Sequence, residues 1–226
     1  MNRSSFAIFL ALSLTAVVAH PQDDAPRGTI RGTVVNEEGQ PVAGVFLWAE
    51  GKDRPGGFEH RVVSDGAGRF TLTNLWMDTY QVLAVKEGDG YPDTSSAIYD
   101  NGKIPVVEIS ASQLIVDVRV TVGPKAAVLT GSITDASTGK PAPNPRIRIW
   151  RWTDGVDRNI EFLDTDIRAN YRFLIPPSKE VGLEISAQGY ETWSYRGESG
   201  GEKPFPLYLP SGAQKTINVQ LRPIPK

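Results

Sequence analysis

No cysteine occurs among the 226 residues. That excludes disulfides, thiolate nucleophiles, cysteine-ligated zinc and a lipid-modified cysteine near the N-terminus. Histidine is almost as scarce, with His20 and His60 the only two. A histidine zinc site, which needs ligands at set spacings, has no material here, and acid–base chemistry near neutral pH has almost none. An excess of charge of one sign is missing too: 24 Lys and Arg face 26 Asp and Glu, for a formal net charge of −2. These charges are interspersed, so the basic footprint that nucleic-acid binding requires is not present. The remaining composition, 40% apolar and 22% charged, is that of a chain able to fill a core.

What is there begins with an address. Asn2 and Arg3 precede an apolar stretch from Phe6 to about Val18, which ends in the small-residue pattern Val17-Val18-Ala19. At about 13 residues it is shorter than the ~20 that span a bilayer, and no stop-transfer pattern follows. The reading is a Sec-type signal peptide over 1–19, a flexible arm over 20–27, and a protein secreted or delivered to the periplasm that is not an integral membrane protein once cleaved.

The rest is one unit written twice. Gly32 aligns with Gly131, Gly39-Gln40-Pro41 with Gly139-Lys140-Pro141, Asp65 with Asp166, Tyr80 with Val181 and Gly90-Tyr91 with Gly189-Tyr190, all at an offset between 99 and 101. Such a period means duplicated domains, here 28–123 and 124–226, and not a solenoid. Each unit alternates apolar and polar residues between glycine, proline, asparagine and aspartate, and no segment keeps a helical period. Strands are predicted over 29–35, 45–49 and 60–63, then around Phe70 and Leu72 and around Tyr80, Val82 and Ala84. The prediction is an all-β protein of two tandem antiparallel β-sandwiches.

Three motifs give this pattern a family likeness. G-x-V-x-x-x-x-G-x-P-x-x-G runs from Gly32 to Gly44, D-x-x-G-x-F from Asp65 to Phe70, and N-L-x-x-x-x-Y from Asn74 to Tyr80 before Gly90-Tyr91. They resemble the carboxypeptidase regulatory-like domain, a transthyretin-like sandwich, and the second unit resembles it more loosely through Gly131, Gly139, Pro141, Asp166, Tyr171 and Phe173. The sequence departs from the pattern at Asp78, in place of a turn glycine, and at Ala169, aligned with Gly68 and followed by Asn170. Asparagine tolerates the left-handed conformation, so the second turn is expected to shift by one residue. The resemblance implies an accessory module and not an enzyme.

The residues agree with that implication. Gly197-Glu198-Ser199-Gly200-Gly201 fits G-x-S-x-G, but Glu-Lys-Pro-Phe-Pro follows, and a nucleophile elbow needs a helix there. A hydrolase would have to join Ser199 with His60, which lie in different units. Asp65 and Asp166 suit turn capping better than calcium binding, so no metal and no cofactor is implied. Alternation sends Val45, Leu47 and Ala49 inward and Phe46 and Trp48 outward. In the second unit it sends Ile147 and Ile149 inward and Arg148, Trp150 and Trp152 outward. Those outward residues, together with Trp193 and Tyr195, are the ligand-binding candidates. The function expected is non-catalytic scaffolding that binds an envelope or extracellular protein, with polysaccharide binding by exposed aromatic rings as the alternative.

Overall fold

Residues that alternate between apolar and polar with period two cannot cover one side of a helix, but they give a strand one face for a core and one for water. The computed structural model describes residues 26–53, 61–99, 104–153, 156–163, 165–166, 168–198 and 200–225, with 153 and 156–163 described by backbone alone. Among them the only helical element is one 3-10 turn at Glu87–Asp89. The predicted signal peptide and the arm up to Ala25 lie outside the described residues.

The first sandwich is built from β1 (Gly28–Val35), β2 (Phe46–Gly51), β3 (Val62–Val63), β4 (Arg69–Leu75), β5 (Asp78–Val85), β6 (Val106–Ile109) and β7 (Ile115–Thr121). One sheet runs β4-β1-β7 and the other β3-β2-β5-β6. Ile30 and Val34, Leu47 and Ala49, Leu72, Val82 and Val120 fill the space between them. The strand expected from His60 is shorter, and His60 itself lies outside the described residues.

The second sandwich comprises β8 (Ala127–Asp135), β9 (Arg146–Thr153), β10 (Val156–Leu163), β11 (Asn170–Ile175), β12 (Glu180–Ser186), β13 (Trp193–Ser194), β14 (Leu207–Tyr208), β15 (Gln214–Thr216) and β16 (Val219–Leu221). Its sheets run β11-β8-β15, with β16 also on β8, and β10-β9-β12-β13, with β14 also on β12. The order is that of the first sandwich, with β6 and β7 each replaced by two short strands.

The sandwiches are not antiparallel throughout. β7 runs parallel to β1, and β15 and β16 run parallel to β8. The chain reaches each closing strand after crossing from the other sheet, and apolar alternation carries no information about direction. At this parallel seam a Cβ on Gly32 would lie 1.9 Å from the Val118 carbonyl oxygen, and one on Gly131 1.9 Å from that of Ile217. The aligned glycines are therefore what lets each closing strand approach.

Asp65 and Asp166 build the same turn. The Asp65 carboxylate accepts the Ala67 and Arg69 amides at 2.9 and 2.8 Å, and Asp166 accepts those of Arg168 and Asn170 at 2.8 Å each. These backbone hydrogen bonds, led by Arg69 for Asp65 and Asn170 for Asp166, hold both carboxyls below their ordinary pKa. The expected shift of the second turn does not occur. Ala169 itself takes φ +56°, matching Gly68 at +71°, because the Ala169 amide must reach the Asp166 carbonyl as that of Gly68 reaches Asp65. Asp78, the other departure, is buried at the start of β5, where its carboxylate receives the amides of Asp53 and Thr79.

The two sandwiches share one piece of core. After Tyr91 the chain between β5 and β6 leaves its own sandwich, and Ile98 and Tyr99 join the second hydrophobic cluster beside Ala127, Leu174 and Ile175. The Tyr99 hydroxyl donates to the Leu174 carbonyl at 2.9 Å, and Arg151 donates to the Ile98 carbonyl at 3.1 Å. The junction is tied on both sides: the Ala126 amide bonds the Gly90 carbonyl at 2.8 Å, and the Lys125 carbonyl accepts the Gly212 amide and the Ser211 hydroxyl.

Candidate functional site

The aromatic residues predicted to form one outward face are split by burial. β2 does direct Phe46 and Trp48 away from the core that holds Leu47 and Ala49. Phe46 is 53% exposed beside Val63, its exposed cross-strand neighbour, but Trp48 and its partner Leu83 are covered, at 4% and 1%. In the second sandwich Trp150 lies over Gly182, which faces it on β12, at a site where any Cβ would come within 2.1 Å of the ring. Trp150 is thereby 9% exposed. Half-buried Trp152 stacks on it at 6.2 Å, and the Arg148 guanidinium sits 4.8 Å above its ring, with Glu184 at 3.8 Å. Of these outward residues, Trp48 and Trp150 are thus sealed, and Phe46 with Val63 forms an exposed apolar row. A glycine opposite a large ring leaves a hollow that the ring fills, a cross-strand effect that one strand's alternation does not encode.

Trp193 and Tyr195 are half-buried and pack on the second core. Trp193, and beside it Tyr195, also line a concavity of the second sandwich that runs between the rim at β13 and the rim at β15 and β16. One lobe, of about 520 Å³, is lined by Trp193, Arg196, Asn218, Gln220 and Arg222, with Glu191 and Thr192. A second, of about 360 Å³, continues past Tyr195, Lys215, Thr216 and Ile217. Trp193, Arg196 and Asn218 belong to both lobes, so the two make one slot.

The slot exists because an edge strand is interrupted. β12 pairs Ile185 with Trp193 and Glu184 with Ser194, the Tyr195 amide reaches the Leu183 carbonyl at 2.9 Å, and pairing resumes between Val181 and Leu207. Residues 196–198 and 200–206 leave the sheet between these points, and the Phe205 amide bonds the Tyr195 carbonyl at 2.9 Å. In the first sandwich the corresponding side is shut by the tight turn of residues 110–114, where Ser110 and Gln113 exchange both backbone hydrogen bonds. At its far end the slot is stopped by the Glu191 amide on the Arg222 carbonyl and the Ile224 amide on the Gly189 carbonyl, both at 2.9 Å.

Both rims offer unused backbone. With Tyr195 bonded to β12, the N–H and C=O of Ser194 point the other way. The parallel pairing uses Ala213, Ile217 and Leu221, which turns the backbone groups of Thr216 and Gln220 outward. Along the same rim Lys215 bonds Glu198, and that carboxylate raises the ammonium pKa. Arg196 and Arg222 are exposed and have no acidic partner among the described residues.

The G-x-S-x-G match lies in the sequence between β13 and β14. Ser199, like His60, lies outside the described residues, and no helix follows among those described. Among the described residues no group of three or more His, Asp or Glu could hold a metal, and no helix is long and apolar enough to cross a membrane. Of the other loop aspartates, Asp93 receives the Ser95 amide and hydroxyl, Asp89 pairs with Lys86 at 2.6 Å, and Asp100 and Asp164 lie outside the described residues.

Comparison with known proteins bears on the first sandwich. Residues 29–123 match the profile of the carboxypeptidase regulatory-like domain. The first sandwich is such a domain. The carboxypeptidase regulatory-like match stops at the junction and leaves the second sandwich unassigned. No curated protein matches the chain. Among solved structures it is similar to the Bacillus anthracis TIE protein, at 15% identity over 88% of this chain and 34% of that one, with a TM-score of 0.32. A streptococcal ancillary pilin shares 13% identity over 90% of this chain and 64% of its own length, with a TM-score of 0.37. A shaft pilin of Lactobacillus rhamnosus GG shares 12% over 89% of this chain and 100% of that one, with a TM-score of 0.35. The chain thus spans about a third of the TIE protein and under two thirds of the ancillary pilin.

Proposed function

We propose that this chain is an exported, non-catalytic accessory protein in which a second, diverged copy of the carboxypeptidase regulatory-like sandwich follows the first, and that it binds a protein partner through sheet edges. The observation that carries this reading is the pair of open rims in the second sandwich, where backbone donors and acceptors point outward beside a slot. Unpaired strand edges are templates for a further strand, and native proteins ordinarily cover or charge them. Loop carboxylates engaged in capping turns, at Asp65 and Asp166, support a binding role over a chemical one. Glycan binding is the weaker reading, because Trp48 and Trp150 are sealed and one side of Trp193 is committed to the core.

Photocrosslinking in the organism that encodes the protein tests this. Benzoylphenylalanine at Thr216, at the open rim, and at Val63, on the edge strand β3, is expected to yield a discrete adduct with another protein from at least one position. Gln81, exposed on the interior strand β5, serves as the control. Adducts from neither edge position, with the protein folded and exported, would sink the reading.

A further inference from the structure

The slot has chemistry as well as an open edge. Trp193 and Ile217 contribute an apolar lining, and Arg196 and Arg222 contribute a basic one. Glu191 is the one acid without a partner among the described lining residues, since Glu198 is matched by Lys215. The unmatched charge of the rim is therefore positive. Thr216 and Gln220 present backbone N–H and C=O groups along the same line.

Resting on the reading of a partner-binding protein, we infer that the slot takes an extended acidic peptide segment, which adds as a strand to the free edge of β15 and β16. Successive side chains of a strand point to opposite faces. The guest therefore alternates, apolar residues facing Trp193 and Ile217 and carboxylates facing Arg196 and Arg222. Guanidinium groups suit this task because they present a planar donor fork to a carboxylate. An acidic polysaccharide would satisfy the arginines but would have no use for the strand edge.

Fluorescence anisotropy with a labelled peptide of alternating valine and glutamate, about eight residues long to match the run from Lys215 to Arg222 at ~3.3 Å per residue, tests the inference on the purified protein. Saturable binding is expected. It should weaken about tenfold or more when lysine replaces glutamate in the peptide, and by a similar factor when alternate peptide amides are N-methylated. The double variant Arg196→Glu/Arg222→Glu, at two exposed positions, should reverse the preference toward the valine–lysine peptide. Equal binding of methylated and unmethylated peptides, with displacement by oligogalacturonate, would overturn the strand in favour of an acidic glycan. An absence of peptide binding together with a crosslink from Val63 would overturn the slot but leave the accessory role standing, whereas failure of both experiments would remove both.

Discussion

Asp135 shows how much one side chain holds at the end of β8. It is 9% exposed, and its carboxylate accepts the Ser137 hydroxyl and amide, the Thr138 amide and the Tyr190 hydroxyl, at 2.6 to 2.8 Å. The Ser137 hydroxyl first, and the Tyr190 hydroxyl next, hold its pKa far below the ordinary carboxylate range, and Asp135 in turn raises that of Tyr190. A folded-state pKa below the unfolded one means stability that is present above the unfolded value, about 4, and lost as pH falls through the folded one. Urea midpoints measured from pH 7 down to pH 2 should therefore fall below about pH 4. Asp135→Asn should be less stable at neutral pH and should lose less on acidification. An unchanged acid slope in the variant would show that Asp135 does not carry the effect.

The parallel seam is where individual elements are most exposed to disruption. Gly32→Ala places a methyl 1.9 Å from the Val118 carbonyl oxygen, so β7 must move off β1 or the pairing must break. A loss of about 3 kcal/mol or more is expected from overpacking at a buried ladder, read as a lower denaturation midpoint with an unchanged slope. A loss below about 0.5 kcal/mol would mean that the seam yields. Gly32 and Gly131 were legible as a pair because the repeat aligns them, and the Asp65 and Asp166 turns because aspartate caps act over a few residues. The direction of β7 and the resumption of the edge strand at Leu207 were not legible. Pairing partners are set across the sheet, and Glu202 to Pro206 reads as loop whether or not a strand continues beyond it. The slot was half legible: Trp193 and Tyr195 were singled out, but Arg196, Thr216, Gln220 and Arg222 become a site only when the two rims are known to face each other.

At the scale of the whole molecule, Ile98 and Tyr99 decide how the halves behave. No local pattern marks them as core for a sandwich that begins almost thirty residues later, since only the tertiary path brings them to Leu174. Ile98→Ala removes a side chain that is 1% exposed and should cost about 2–4 kcal/mol. Although the change lies in the chain of the first sandwich, the loss should appear in the second. Hydrogen exchange at β8 and β11 reads it directly, and faster exchange confined to β1 to β7 would contradict the shared core. One more consequence concerns descent. Duplicated modules that touch only through a linker can be shuffled, deleted or recombined one at a time, but a module whose neighbour supplies part of its interior is inherited with that neighbour or not at all. Because Ile98 and Tyr99 lie before the junction and pack inside the second core, the two sandwiches form a single heritable unit.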